Sequence, residues 1–336
     1  MRQILTFDIS DQPMIEFTGP DRAKSLHNLT TQEIKALAPG RVTEAFVTSP
    51  QGKTLGFFTI RNSGDALLLG CEPGGEQLAL EHFAKYTMFD DVRFEVVTEK
   101  HEQRLWLGDE ALRAFQEFFD ASGADAAERC ATFERPGIGR VELIRTDVFA
   151  VPAIRIITGV GHSSRFEDEI AAAADVKLAR GDASLFERIR VLSAWPRFPV
   201  EIRSDNLPQE IDRDATAINF RKGCYLGQET VARLDALGHV NRILRCYVFD
   251  SDHVPVEASR MIGRPLVDQA GQQVGEIRSA VEGNHPNQVV GMALIRVKAL
   301  EGVVKVADSN DANLTISKPG EFREHFPPLV TEIMAN

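Results

Sequence analysis

Cysteine is scarce in this chain of 336 residues: Cys71, Cys130, Cys224 and Cys246 are all it has. No Cys-x-x-Cys occurs, and no Cys/His grouping has the spacing of a zinc site, so no resident metal is expected. Long apolar runs are also missing. The longest, 66–70 and 289–295, are strand-length and far short of the roughly 18 residues of a membrane span, so no membrane partner is expected. Residues 1–8 contain no apolar signal-peptide core, and a cytoplasmic location is expected. Positive charge is in deficit. Lys and Arg number 38 against 49 Asp and Glu, a net charge of −11. Such a surface is unsuited to coating nucleic-acid phosphates, so no nucleic-acid partner is expected.

What is present reads as an ordinary globular composition, 43% hydrophobic and 26% charged, long enough for two or three domains. Thr18-Gly19-Pro20-Asp21 marks a helix start, and Thr30-Thr31-Gln32-Glu33 resembles a capping box. Residues 44–70 read as a strand meander with turns at Ser49-Pro50-Gln51-Gly52 and Asn62-Ser63-Gly64-Asp65. Helices are expected near 76–87, 109–120, 164–179 and 182–193. The polar stretch 121–137 reads as a domain-crossing linker. From Ile243 on, short strands and turns predict a small barrel or sandwich. The fold class is α+β. Cys71 and Cys246 sit in apolar, strand-like runs and read as core fillers.

The most informative stretch is Lys222-Gly223-Cys224-Tyr225-Leu226-Gly227-Gln228-Glu229. Gly223 and Gly227 allow a tight bend. A helix begins near Gly227 or Gln228, and its amide ends, together with the Lys222 ammonium, would favour an anion or a Cys224 thiolate nearby. The residues leave the role open between a reactive thiol, a ligand-binding loop and a structural turn. Tyr225 reads as a packing anchor, Gln228 and Glu229 as helix caps, and Arg233 as an i,i+4 partner of Glu229.

The run from Lys222 through Thr230-Val231-Ala232-Arg233 resembles the signature of the YgfZ family, which is related to the glycine-cleavage T-protein, an aminomethyltransferase. Gly19-Pro20-Asp21-Arg22, Leu29-Thr30-Thr31-Gln32-Glu33, Ser49-Pro50-Gln51-Gly52-Lys53-Thr54, Leu207-Pro208-Gln209-Glu210 and Gly238-His239-Val240-Asn241-Arg242 agree with it in order and spacing. The resemblance covers about residues 4–300. It implies a three-lobed ring around a central cavity. A discontinuous folate-binding-type lobe would join 1–43 to 138–241, a ferredoxin-like lobe would span 44–137, and a C-terminal β-barrel 242–336. It also implies a tetrahydrofolate-like ligand and a role in iron–sulfur cluster assembly or repair, with iron–sulfur clients or assembly proteins as partners. Cys224 and Lys222 become the candidate reactive residues at the cavity edge. Gly223, Tyr225, Gly227, Gln228, Glu229, Arg233 and Glu210 become the candidate ligand contacts. A lone cysteine cannot hold a cluster, so any cluster at Cys224 would be transient or shared.

Two features of the T-protein pattern are missing here. Its carboxylate pair after the first hairpin turn aligns with Gly56 and Phe57, which cannot handle a proton. This opposes the alternative reading, one-carbon transfer to tetrahydrofolate. Its pterin-pairing glutamate aligns with Leu192 in Arg190-Val191-Leu192-Ser193-Ala194. Leu192 continues the apolar face of Leu185 and Ile189 and reads as core. Either Glu210, Asp212 or Glu187 then replaces that carboxylate, or the cavity binds something else.

Overall fold

Short apolar segments punctuated by Gly, Pro and Asn form the strands that frame this molecule. The structure, a computed structural model, describes residues 2–120, 130–146, 149, 151–238, 240–251, 255–309 and 312–326. Its strands form three sheets. One is five-stranded and antiparallel, in the order Val42–Thr48, Thr54–Asn62, Leu67–Gly70, Met14–Thr18, Arg93–Val96. The helices Arg22–Leu29 and Gln77–Tyr86 pack on it through Leu26 and Phe83, against Ile15, Phe17, Phe58 and Ile60.

The second sheet has six strands, in the order Val176–Arg180, Arg2–Asp8, His101–Leu107, Ala153–Gly159, Gly139–Thr146, Cys130–Arg135. The pairing of Arg2–Asp8 with Val176–Arg180 is parallel and the others are antiparallel. Trp106 and Ile156 on one face meet Ala111, Ala114 and Phe166 of the helices Asp109–Asp120 and Ser163–Ala173. Leu5, Phe7 and Leu107 on the other face meet Ile189 of the helix Ala183–Leu192. Alternate residues of Arg2–Asp8 thus enter different cores, as the two-residue strand period requires.

The third sheet is the expected C-terminal barrel, nearly closed, in the order Lys305–Val306, Pro265–Val267, Gln273–Glu282, Gln288–Arg296, Arg242–Ser251, Ala312–Ser317. A further core joins the three parts. It brings Phe46 and Phe57 of the first sheet together with Leu192, Trp195 and Tyr225 of the middle segment, and with Leu244, Met292 and Phe322 of the C-terminal part.

Several expectations change. The span 44–137 is not one sheet: its strands up to Val96 pair around Met14–Thr18, while His101–Leu107 and Cys130–Arg135 belong to the six-stranded sheet. Alternation reveals that a segment is a strand but not which strand it will pair with. The helix expected over 164–179 ends at Ala173. Asp175 then turns the chain at φ 50°, and Val176–Arg180 joins the sheet edge. In the stretch 121–137, residues 121–129 lie outside the described residues, and Cys130–Arg135 forms a hairpin with Gly139–Thr146. The Thr30-Thr31-Gln32-Glu33 segment starts no helix; Thr31 Oγ1 instead donates to the Ala217 carbonyl at 2.6 Å. Cys71 and Cys246 are buried, as their runs implied, and Cys130 is buried too, beside Ile144 and Met14.

Candidate functional site

The first two sheets, the segment 183–217 and Arg323 of the C-terminal helix Pro319–His325 enclose a cavity of about 530 Å³. This is ample for a ligand of drug size. Its walls combine rings, Phe57, Phe149, Phe186 and Trp195, with an excess of positive charge. Arg61, Arg145, Arg155, Arg197, Arg213 and Arg323 line it against Glu44, Glu72 and Asp212. In a chain of net charge −11, this local reversal of sign favours an anionic occupant.

Three of these cations have acidic partners that orient them. Arg213 forks onto Glu44 with contacts of 2.6 to 2.9 Å. Its guanidinium lies 4.4 Å from the centroid of the Trp195 ring, a cation–π arrangement that holds it flat. Arg61 pairs with Glu142 at 2.6 Å, and Arg197 with Glu187 at 3.2 Å. Arg155 differs: its guanidinium donates to the side-chain oxygens of Gln12 and Gln103 and forms no ion pair among the described residues. Burial pushes its pKa down to about 10. Glu72 accepts from Gln12 Nε2 at 2.9 Å, and burial raises its pKa despite the fields of Arg190, Arg155 and Arg197. Cys71 also lines the cavity, and burial pushes its thiol well up, leaving it protonated and unreactive at neutral pH.

The transferase positions are apolar here. Phe57 packs against Phe46 and Trp195 and faces the cavity. A Cβ on Gly56 would stand 2.4 Å from the Phe58 ring, so no carboxylate fits there without moving that ring. Leu192 is 1% exposed in the joining core and does not line the cavity. The carboxylates named as its replacements fare differently. Asp212 does line the cavity, paired with Arg245 at 2.7 Å. Glu187 is paired with Arg190 and Arg197 outside the lining. Glu210 is buried; it accepts from Asn206 Nδ2, the Leu207 amide and the Arg242 guanidinium, and joins the middle segment to the first barrel strand.

The cysteine loop corrects a further expectation. Cys224 is exposed, and none of Lys222, Gly223, Cys224, Tyr225, Gly227, Gln228, Glu229 and Arg233 lines the cavity. Lys222 is buried instead of flanking a thiolate. Its ammonium donates to the carbonyls of His27, Thr30 and Gln32 at 2.5, 2.6 and 2.8 Å, and burial pushes its pKa down to about 7. Tyr225 is the packing anchor, inside the joining core. Gly223 and Cys224 stand outside, with Gly223 over His27. Gly227 takes φ 86° as the helix Gln228–Leu237 begins, and no side chain caps that helix. Gln228 is half-buried, while Glu229 and Arg233 are exposed and unpaired with each other among the described residues. His239 lies outside the described residues. The tight loop packs against the first hairpin turn: a Cβ on Gly227 would meet the Ser49 carbonyl at 2.4 Å.

The sequence pattern therefore named the loop but missed Gln12, Glu72, Arg155, Arg213 and Trp195, the residues that shape the cavity. They come from separate segments, and no local signal joins them. Among the described residues no group of three or more His, Cys, Asp or Glu side chains is placed to hold a metal ion. A folate-sized anion fits the volume and charge of the cavity, but not a contact through Leu192.

Comparison with known proteins follows the same lines. No protein-family model matches the chain. The glycine cleavage system aminomethyltransferase T of Bartonella henselae superimposes with a TM-score of 0.73 at 16% identity, over 95% of this chain and 86% of that one. The architecture is thus that of a T-protein-like protein. The tRNA-modifying protein YgfZ of Yersinia pestis is 24% identical over 317 residues, covering 92% of this chain and 89% of its own. YgfZ of Aliivibrio fischeri is 22% identical over 227 residues, covering 67% of this chain; the chain spans 65% of that relative's length. The chain is thus similar to the YgfZ proteins and shares a T-protein-like fold. No helix among the described residues is long and apolar enough to cross a membrane.

Proposed function

We propose that this protein is a YgfZ-type accessory protein, without transferase chemistry, that holds a tetrahydrofolate-like anion in its central cavity. It would serve iron–sulfur cluster assembly or repair, in support of tRNA modification, in the cytoplasm. The observation that carries this reading is the arginine-rich, ring-walled cavity of about 530 Å³. Arginine forks match carboxylates and planar acceptors, and the aromatic walls suit a flat ring system. The curated relatives are named for tRNA modification. The net charge of −11 favours action through iron–sulfur client or assembly proteins over a direct grip on tRNA phosphates. The exposed Cys224 loop would meet such a partner from outside, because its thiol is free of the cavity.

One-carbon transfer is disfavoured by Phe57 and by the closed space at Gly56. The test has two readouts. Thermal shift with 5-formyltetrahydrofolate should raise Tm in a saturable way. Incubation with an aminomethyl donor and tetrahydrofolate should yield no methylene-folate by mass. Absence of any shift refutes the ligand, and turnover of the donor restores the transferase reading.

A further inference from the structure

Glu72 and Arg155 carry opposite charges in one cavity wall, yet no ion pair joins them. The Gln12 side chain stands between them. Its Nε2 donates to Glu72 Oε1 at 2.9 Å, and its Oε1 accepts from Arg155 Nη2 at 2.8 Å. That orientation of the amide is forced, because a carboxylate only accepts and a guanidinium only donates. Gln12 is 3% exposed, and Gln103 Nε2 donates to its backbone carbonyl at 2.8 Å. The bridge is therefore rigid, and it sets the separation of the two charges.

That separation has a chemical meaning. The pair already grips one amide edge, an N–H beside a C=O, supplied by Gln12. Glu72 Oε2 has no protein partner among the described residues, and Arg155 uses two of its five N–H donors on Gln103 and Gln12. The same acceptor beside the same donor is thus offered a second time, to the cavity. Burial disfavours both ionic forms, raising the pKa of Glu72 and lowering that of Arg155, as expected for charges short of partners.

We propose that Glu72 and Arg155, spaced by Gln12, recognise the lactam edge of a planar heterocycle, Glu72 accepting from the ring N–H and Arg155 donating to the ring carbonyl. This rests on the folate reading above and assigns its ring end: the 2-amino-4-oxo edge would lie here, and the glutamate tail toward the remaining arginines. Glu72 thus takes the recognition role that none of Leu192, Glu210 and Glu187 can fill from where they lie.

Calorimetry on the intact protein tests this with 5-formyltetrahydrofolate on wild type, Glu72→Gln and Arg155→Lys. Glu72→Gln should weaken binding at least tenfold and Arg155→Lys at least fivefold. A second comparison uses folic acid and aminopterin, which differ only by a carbonyl against an amino group at ring position 4. The wild type should prefer folic acid at least tenfold, because the amino group sets donor against donor at Arg155. If 5-formyltetrahydrofolate binds all three proteins equally, the inference is overturned and the folate reading stands. If the wild type binds none of these ligands, the folate reading itself falls, and the inference with it. If a variant does not fold, the wild-type preference decides: tenfold or more supports the lactam contact, and equal affinities overturn it.

Discussion

The Lys222 ammonium lies 4.8 Å from the centroid of the Tyr225 ring, beneath the loop that carries Cys224. Ring and ammonium form one buried unit with the carbonyls that end the Arg22–Leu29 helix. Burial sets the folded pKa of Lys222 at about 7, against roughly 10.4 in the unfolded chain. Between these values the unfolded state binds more protons, so stability rises with pH across the window and levels off below about 7, where both states are protonated. Thermal denaturation of wild type and Lys222→Met from pH 6 to 10 checks the sign. The wild-type Tm should gain on that of the variant as pH rises, and a constant gap would contradict the assignment.

Gly227 and Gly52 hold the cysteine loop against the first hairpin turn. A Cβ at Gly227 would lie 2.4 Å from the Ser49 carbonyl, and one at Gly52 2.8 Å from Thr230 Cβ, both at positive φ. Gly227→Ala should lower stability by roughly 1–3 kcal/mol, the cost of a strained left-handed residue, with contact relief at the upper end. Urea unfolding measures it, and an unchanged midpoint would show that the hairpin turn does not press on the loop.

Glu210→Ala should destabilise by about 2 kcal/mol, below the roughly 3–5 for breaking a fully buried pair because Arg242 is a third exposed. It leaves Asn206 Nδ2, the Leu207 amide and the Arg242 guanidinium without this acceptor. Binding of 5-formyltetrahydrofolate should persist in the folded fraction, since Glu210 is outside the cavity lining. Loss of binding at unchanged Tm would return Glu210 to the ligand site.

Cys224→Ser should leave stability within about 0.5 kcal/mol, as expected of an exposed side chain, and should not alter ligand affinity. Its effect should appear only where a partner is present, as reduced rescue of iron–sulfur enzyme activity in a deletion strain. Full rescue would make Cys224 dispensable and leave the loop a structural element.

Much of this was legible along the chain, for definite reasons. The meander of 44–70 carries its own period and its own turns, so its strands appear where alternation placed them. Leu192 continues a helical face, and it is core. The Lys222–Glu229 stretch carried the resemblance to the YgfZ family but not the direction its side chains take. A buried ammonium bound by three carbonyls of the segment 27–32 cannot be told in sequence from a surface one. Glu72 lies in a Cys-Glu-Pro-Gly-Gly segment and Arg155 in the strand Ala153–Gly159, and neither carries a local signal of a site. Only the pairing of distant segments, which alternation does not encode, sets them across Gln12.

The central claim is that the arginine-lined cavity, and not the Cys224 loop, is the ligand site. A crystal structure with 5-formyltetrahydrofolate tests it most directly. The expected result is density for the bicyclic ring at Glu72 and Arg155, with the tail among the cavity arginines. Density at the Cys224 loop with the cavity filled only by water would contradict it.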